Sequence, residues 1–195
     1  MRRTAHEAAA TRSALLEAAR ALFAEQGYEV TTNDQIVDRA GVTQGALYHH
    51  FGSKRELFRA VFVAIEVEMD AKVRTAAAEG STIDEAFLLG CRAVLEHMSQ
   101  PEYQQIGLAD ATAVLGMRTW HEIDTSIGLA TVEGAVQAMQ DAGWATGMPS
   151  RPLAVLLFGA LTHACISVAN AGPDSIDDYL TVVSGLLDAL RTADS

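Results

Sequence analysis

Apolar residues recur three and four apart along most of this chain, and no stretch alternates with the period of two that a half-buried strand needs; the pattern predicts an all-α protein. Leu15, Ala18, Ala19, Leu22 and Phe23 form one helical stripe, which Gly27 ends. Thr32, with Gln35 three residues on, opens a short second helix through a capping box; Ile36 and Ala40 give it one apolar face, and Gly41 permits a sharp turn. Thr43 then caps a third helix, Val42 plugs the angle, and Leu47 and Phe51 hold the third helix against the second. At about 100° per residue, Gly45, Tyr48 and His49 fall on the opposite arc, with Gln44 projecting from the first turn. That arc is polar, flat and relieved by a glycine, as insertion into a DNA major groove requires.

Ser53 and Glu56 form a second capping box, opening a long fourth helix in which Leu57, Val61, Ile65, Met69 and Val73 share one side before Gly80 stops it. Lys54 and Arg55 occupy its first turn. The helix dipole disfavours cations there unless an anion lies nearby, and a DNA phosphate is such an anion. Thr82 with Glu85 opens a fifth helix that ends before Pro101, and shorter pieces follow from Glu102 to Ala109 and from Gly116, the latter extending or breaking near Gly128. Gly147-Met148-Pro149-Ser150 is the clearest linker. Two more helices follow, to about Ala171 and, after Gly172-Pro173-Asp174-Ser175, to about Thr192. Leu180, Val183, Leu187 and Leu190 stripe the last of them. The expected division is a head over residues 1–52 and a body over 53–195, with about nine helices in all.

From Tyr28 to Phe58 the chain resembles the TetR-type (TetR/AcrR) transcriptional regulators. Tyr28, Thr31-Thr32, Ile36, Ala40-Gly41-Val42, Gly45, Leu47-Tyr48, His50-Phe51, Lys54 and Leu57-Phe58 follow that family's spacing without a gap. Ala113-Val114-Leu115-Gly116, Trp120, Ile123-Asp124 and Gly128 resemble the body of one subgroup. Val37 and Gln44 depart locally, which leaves the fold intact but changes what the arc can read. The resemblance implies a helix-turn-helix head, joined by its long fourth helix to a ligand-binding and dimerisation body. It places Gln44, Gly45 and His49 at base edges, and Thr32, Thr43, Tyr48, His50 and Lys54 on the DNA backbone.

The formal charge of −11 argues at first against DNA as a partner, but its distribution reverses that: up to Arg59 there are 8 Lys+Arg against 7 Asp+Glu, and beyond it 6 against 18. The acidity belongs to the body, while Arg2, Arg3, Arg12 and Arg20 add positive charge to the N-terminal helix. Two cysteines, Cys91 and Cys165, in apolar surroundings suit a reduced cytoplasmic protein. The 22 residues between Arg151 and Asp174 carry no formal charge, long enough to span a bilayer, yet Pro152, Thr162, His163, Ser167, Asn170 and Pro173 interrupt them and no basic flank or aromatic belt accompanies them. A buried bundle helix is the expectation, with no membrane partner.

No catalytic, cofactor or metal constellation emerges. His163 and Cys165 diverge by about 200° on a helix, His49 and His50 by about 100°, and His121-Glu122 lacks the second histidine of a zinc-protease motif. With no nucleophile elbow, P-loop or dinucleotide fingerprint either, the protein is not expected to be an enzyme. By resemblance the body encloses a small-molecule effector, and Phe87, Cys91, Tyr103, Met117, Trp120, His121, Asp124, Phe158 and His163 are its expected contacts, with Trp120, His121 and Asp124 the best small cluster. The last two helices are too apolar for a monomer surface. Pairing with the same helices of a second copy is the covering that fits the resemblance, through Leu157, Leu161, Val183, Leu187 and Leu190. The expected function is a homodimeric, ligand-responsive regulator, a repressor released from a palindromic double-stranded operator by its effector; the alternative is a ligand-free helical dimer acting as a protein-interaction module.

Overall fold

A computed structural model describes residues 2–192, which are helical almost throughout, with no strand among the described residues. The side chains of Arg2 and Arg3 lie outside the described residues. The helices are α1 (Arg2–Gln26), α2 (Asn33–Ala40), α3 (Gln44–Phe51), α4 (Lys54–Ala77), α5 (Ile83–Met98), α6 (Pro101–Tyr103), α7 (Ala111–Leu115), α8 (Met117–Asp141), α9 (Ser150–Ala171) and α10 (Ile176–Thr192). A π-helical segment, Gln104–Asp110, joins α6 to α7, so the expected short helix is part of one continuous stretch. α8 runs unbroken through Gly128.

Local chemistry accounts for the boundaries. Thr32 Oγ1 accepts from the Gln35 amide at 3.2 Å while Gln35 Oε1 accepts from the Thr32 amide at 2.8 Å, which completes the capping box of α2. Gly41 ends α2 in the left-handed region at φ 65°, where a side chain would be strained. Ser53 Oγ accepts from the Glu56 amide at 3.1 Å and Thr82 Oγ1 from the Glu85 amide at 3.3 Å, while the Glu85 carboxylate turns back to the Ser81 amide at 2.8 Å.

The chain forms two compact units. The first comprises α1 through the first half of α4, to Ile65, together with Pro101–Trp120; the second comprises Glu66–Gln100 and everything from His121 onward. This is not the expected division at 52/53, and the packing explains why. Leu57, Phe58, Val61, Phe62 and Ile65 of α4 are fully buried and complete the core of α1 to α3, where the Phe58 ring meets Phe23 and Tyr28 edge-on, at 5.2 Å in both cases. The 101–120 stretch is tied to the same unit by a two-pronged Arg20–Glu102 pair at 2.7 and 2.6 Å and by Asp110 Oδ2, which accepts from the Tyr28 amide at 2.9 Å. In the second unit α5 packs against both α9 and α10. Leu129, Val136 and Ala154 form a further core there, with Leu157 and Phe158 against it.

Candidate nucleic-acid interface and body cavity

On α3 the buried side is Leu47, fully enclosed, while Gln44, Gly45 and His49 are exposed and Tyr48 is 50% exposed. Thr32 and Thr43, which cap α2 and α3, are exposed at the same time, and His50 is half-buried beside Phe51. α2 orients two members of this arc: Asn33 donates to the Tyr48 hydroxyl at 3.1 Å, and the Gln44 amide donates to the Asp34 carboxylate. A Cβ built on Gly45 meets only Thr43 Oγ1, at an ordinary 3.7 Å, so nothing inside the protein requires glycine there. What the arrangement can do is present hydroxyl, amide and imidazole groups on a rigid helix with one bare backbone position for close approach.

The two cations of the first turn of α4 have partners within their own unit. Lys54 Nζ donates to the carbonyls of Tyr28 at 2.9 Å and Thr31 at 2.8 Å and lies 4.0 Å from the Tyr28 ring centre. Arg55 donates to the carbonyls of Val114 and Leu115, both at 3.1 Å, at the C-terminal end of α7. The inference that such cations need an external anion is therefore corrected: backbone carbonyls, concentrated at a helix C-terminus in the case of Arg55, supply the negative potential. Lys54→Met is expected to lower stability by about 1–3 kcal/mol, because it leaves the Tyr28 and Thr31 carbonyls without their charged donor. Chemical denaturation checks this; unchanged stability combined with weakened DNA binding would give Lys54 a phosphate role alone.

The second unit holds a cavity of about 830 Å³, partly open to solvent, between the second half of α4 and helices α5, α8 and α9. Of the nine expected ligand contacts, Phe87, Cys91, Asp124 and Phe158 line it. The other five do not. Tyr103 is buried in the first unit with its ring against Gly107, Met117 is 65% exposed, Trp120 is buried in the first unit, and His121 and His163 are exposed. Of the expected Trp120–His121–Asp124 cluster, only Asp124 faces the cavity. Met69 and Val73, which also line it, belonged to an apolar stripe indistinguishable from core in the sequence, and Met98 of α5 lines it without having stood out there at all. Gly128 is needed here, since a Cβ on it would come within 2.8 Å of the Phe158 ring.

Charge in the cavity wall is sparse. The Asp70 oxygens are taken by Thr131 at 2.5 Å and Arg74 at 3.1 Å. Asp124 is 7% exposed and its Oδ2 has no hydrogen-bond partner. Burial pushes its carboxyl up to about 6, with the nearby His121 working in the opposite direction. Burial likewise raises Cys91 to about 12, and Cys165 upward too, so both free thiols stay protonated and unreactive at neutral pH.

The outward faces of α9 and α10 also differ from expectation. Leu187 is 2% exposed in its own protomer, Leu157 packs on the Leu129–Val136–Ala154 core, Leu161 lines the cavity, and Val183 and Leu190 are half-buried. The large apolar side chains left in the open on these helices are their neighbours: Val155, Leu156, Val182 and Leu186, at 46, 71, 62 and 52% exposure. Gly159, Ala160, Gly185 and Ala189 lie exposed on the same helices and would allow close approach. The 180, 183, 187, 190 stripe is thus mainly the protomer's own packing face. On helices apolar on several sides, spacing cannot separate the two faces.

Residues 15–61 match the family described as bacterial regulatory proteins, tetR family, and residues 84–190 match a tetracyclin repressor-like C-terminal domain. The transcriptional regulator TtgR of Pseudomonas putida is 40% identical over 91 residues, a match covering 47% of this chain and 41% of that protein. The Tn10 TetC protein of Escherichia coli is 27% identical over 190 residues, 93% of this chain and 92% of its own length. A TetR-family regulator from Pectobacterium atrosepticum, known by crystal structure, superposes with a TM-score of 0.75 at 33% identity, covering 95% of this chain and 94% of the other.

Proposed function

Because the chain belongs to the TetR family of bacterial transcriptional regulators, whose members bind DNA rather than catalyse reactions, we propose that it acts as a homodimeric repressor that a small-molecule effector releases from a palindromic operator. The observation that carries this reading is the α3 arc: Leu47 buried behind it, Gln44, Gly45, Tyr48 and His49 open in front, and α2 holding two of its side chains in place. Gln44 and His49 serve as base readers, Gly45 as the point of closest approach, and Thr32, Thr43, Tyr48, His50 and Lys54 as backbone contacts. The exposed apolar faces of α9 and α10 pair with those of a second protomer, and the two heads then meet half-sites about one DNA turn apart.

The effector reading rests on the cavity, which also separates it from a ligand-free interaction module: 830 Å³ bounded largely by apolar side chains is space for a drug-sized molecule rather than a packed core. α4 buries Leu57, Phe58, Val61, Phe62 and Ile65 with the head and lines the cavity with Met69, Asp70 and Val73. A ligand that prefers one placement of this helix shifts the population of head positions by its difference in affinity for the two states. Such a regulator works in the cytoplasm; α9, although long and apolar enough by composition to cross a membrane, then serves the dimer.

Selection of bound duplexes from a random pool, followed by titration at several salt concentrations, tests the DNA reading directly. Gly45→Leu is expected to retain or slightly raise stability, by up to about 1 kcal/mol from helix propensity, while reducing operator affinity by more than about a hundredfold through bulk in the groove. Retained affinity would place the reading surface elsewhere.

A further inference from the structure

Asp124 stands apart in the second unit's cavity. Its surroundings are mostly hydrocarbon and sulfur: Met69, Val73, Phe87, Met98, Phe158 and Leu161. Arg74 and Asp70, the other charged residues of the wall, already neutralise one another, so the lining carries one uncompensated negative group. Asp124 Oδ2 is buried with no hydrogen-bond partner, although a buried carboxylate oxygen left without a donor is costly and an apolar side chain would avoid that cost. An ionised carboxylate can only accept, so whatever completes it must donate. The remaining volume tells what that donor is attached to. Nothing in the wall other than Asp124 offers an unpaired charge to a second polar group, and the rest of the cavity rewards apolar surface.

We propose that this cavity takes an apolar, drug-sized molecule bearing a single protonated amine, whose ammonium group pairs with the Asp124 carboxylate while its hydrocarbon body fills the space between Phe87, Met98 and Phe158. This names the ligand class of the effector site and rests on the reading of that cavity as the regulatory one. An ammonium group supplies both the missing donor and the opposite charge among mostly apolar side chains, whereas an alcohol supplies the donor alone. A carboxylate of the same shape supplies neither and is repelled. Asp124 is thereby the specificity-determining residue, and the aromatic and methionine side chains provide affinity without discriminating among headgroups.

The test uses the intact protein and three probes with one body: 6-phenylhexylamine, 6-phenylhexanol and 6-phenylhexanoate, each titrated calorimetrically. The amine is expected to bind about tenfold or more tighter than the alcohol, and the alcohol tighter than the acid, as a charge-assisted bond to a carboxylate in an apolar wall requires. In Asp124→Asn the amine should lose its advantage while the alcohol stays within about threefold of its original affinity, because the apolar contacts are untouched. The headgroup order in the unaltered protein stands whether or not that variant folds, and Asp124→Leu provides a second removal of the charge. Equal affinity for amine and alcohol, preference for the acid, an amine advantage that survives both substitutions, or failure of all three probes to bind would each overturn the proposal. An amine that binds through Asp124 yet leaves operator affinity unchanged would uphold the ligand class and overturn the effector reading instead.

Discussion

Glutamate introduced together at Leu156 and Leu186 is expected to leave a folded protein that sediments as a monomer and binds its operator about 10²- to 10⁴-fold more weakly, because two linked heads engage a palindrome far better than one. Folding should survive, since both side chains are more than half exposed in the protomer and a carboxylate there stays in water when no partner covers it. Only the assembled dimer would bury the two charges unpaired, which it cannot sustain. Leu187→Glu is the internal control. At 2% exposure this position lies within the protomer, so the same chemistry should destabilise the fold itself by several kcal/mol and shift the unfolding midpoint rather than the oligomeric state alone. Sedimentation and chemical denaturation on both variants separate the two outcomes, and a dimeric Leu156→Glu/Leu186→Glu protein would move the interface off α9 and α10.

Asp124→Asn is expected to stabilise the ligand-free protein, by up to about 3 kcal/mol at pH 8, an unusual sign for a substitution at a buried polar residue. Burial raises the Asp124 carboxyl from 3.8 to about 6 in the folded state, so folding favours its protonated form. The folded state therefore holds a proton that the unfolded chain releases between those values; stability falls as pH rises through this window, and the full cost is present above it. The groups around Asp124 do not cancel this. His121 on α8 is exposed, the α4 pair Asp70–Arg74 is self-compensated, and Cys91 of α5 and Cys165 of α9 stay neutral. The advantage of the variant over the parent should accordingly shrink as pH is lowered from 7 towards 4. Urea denaturation at several pH values measures it. A variant less stable than the parent at pH 8, or a difference independent of pH, would mean that the carboxylate has a compensating partner and is not an open acceptor.

That a site for stabilisation coincides with the proposed ligand contact has a physical reason. A group held uncompensated in the free protein is a standing cost that a complementary ligand removes on binding, so stability is given up where selectivity is gained.

The head was legible in the sequence because its information is local. Thr32 with Gln35, the positive-φ turn at Gly41, Thr43 before Gln44 and the Leu47 position act within a few residues of themselves, and caps and turns of that kind form wherever the chain places them. The all-α class and the long fourth helix followed from the same short-range periodicity. Four of the nine expected cavity residues, Phe87, Cys91, Asp124 and Phe158, meet in space, but only because α5, α8 and α9 come together; Trp120, which neighbours Asp124 in sequence, belongs to the first unit, and His121, although near Asp124, is exposed and does not line the cavity. Tertiary structure alone decided that Lys54 and Arg55 would satisfy carbonyls 23 to 60 residues away in the chain, and that Pro101–Trp120 would join the first unit through Glu102 and Asp110. It also decided that Leu156 and Leu186, rather than Leu157 and Leu187, would face outward. Helical periodicity names which residues share a face but not what that face meets, and on α9 and α10, where apolar side chains run around most of the helix, only the positions taken by neighbouring helices determine which of them remain for a partner.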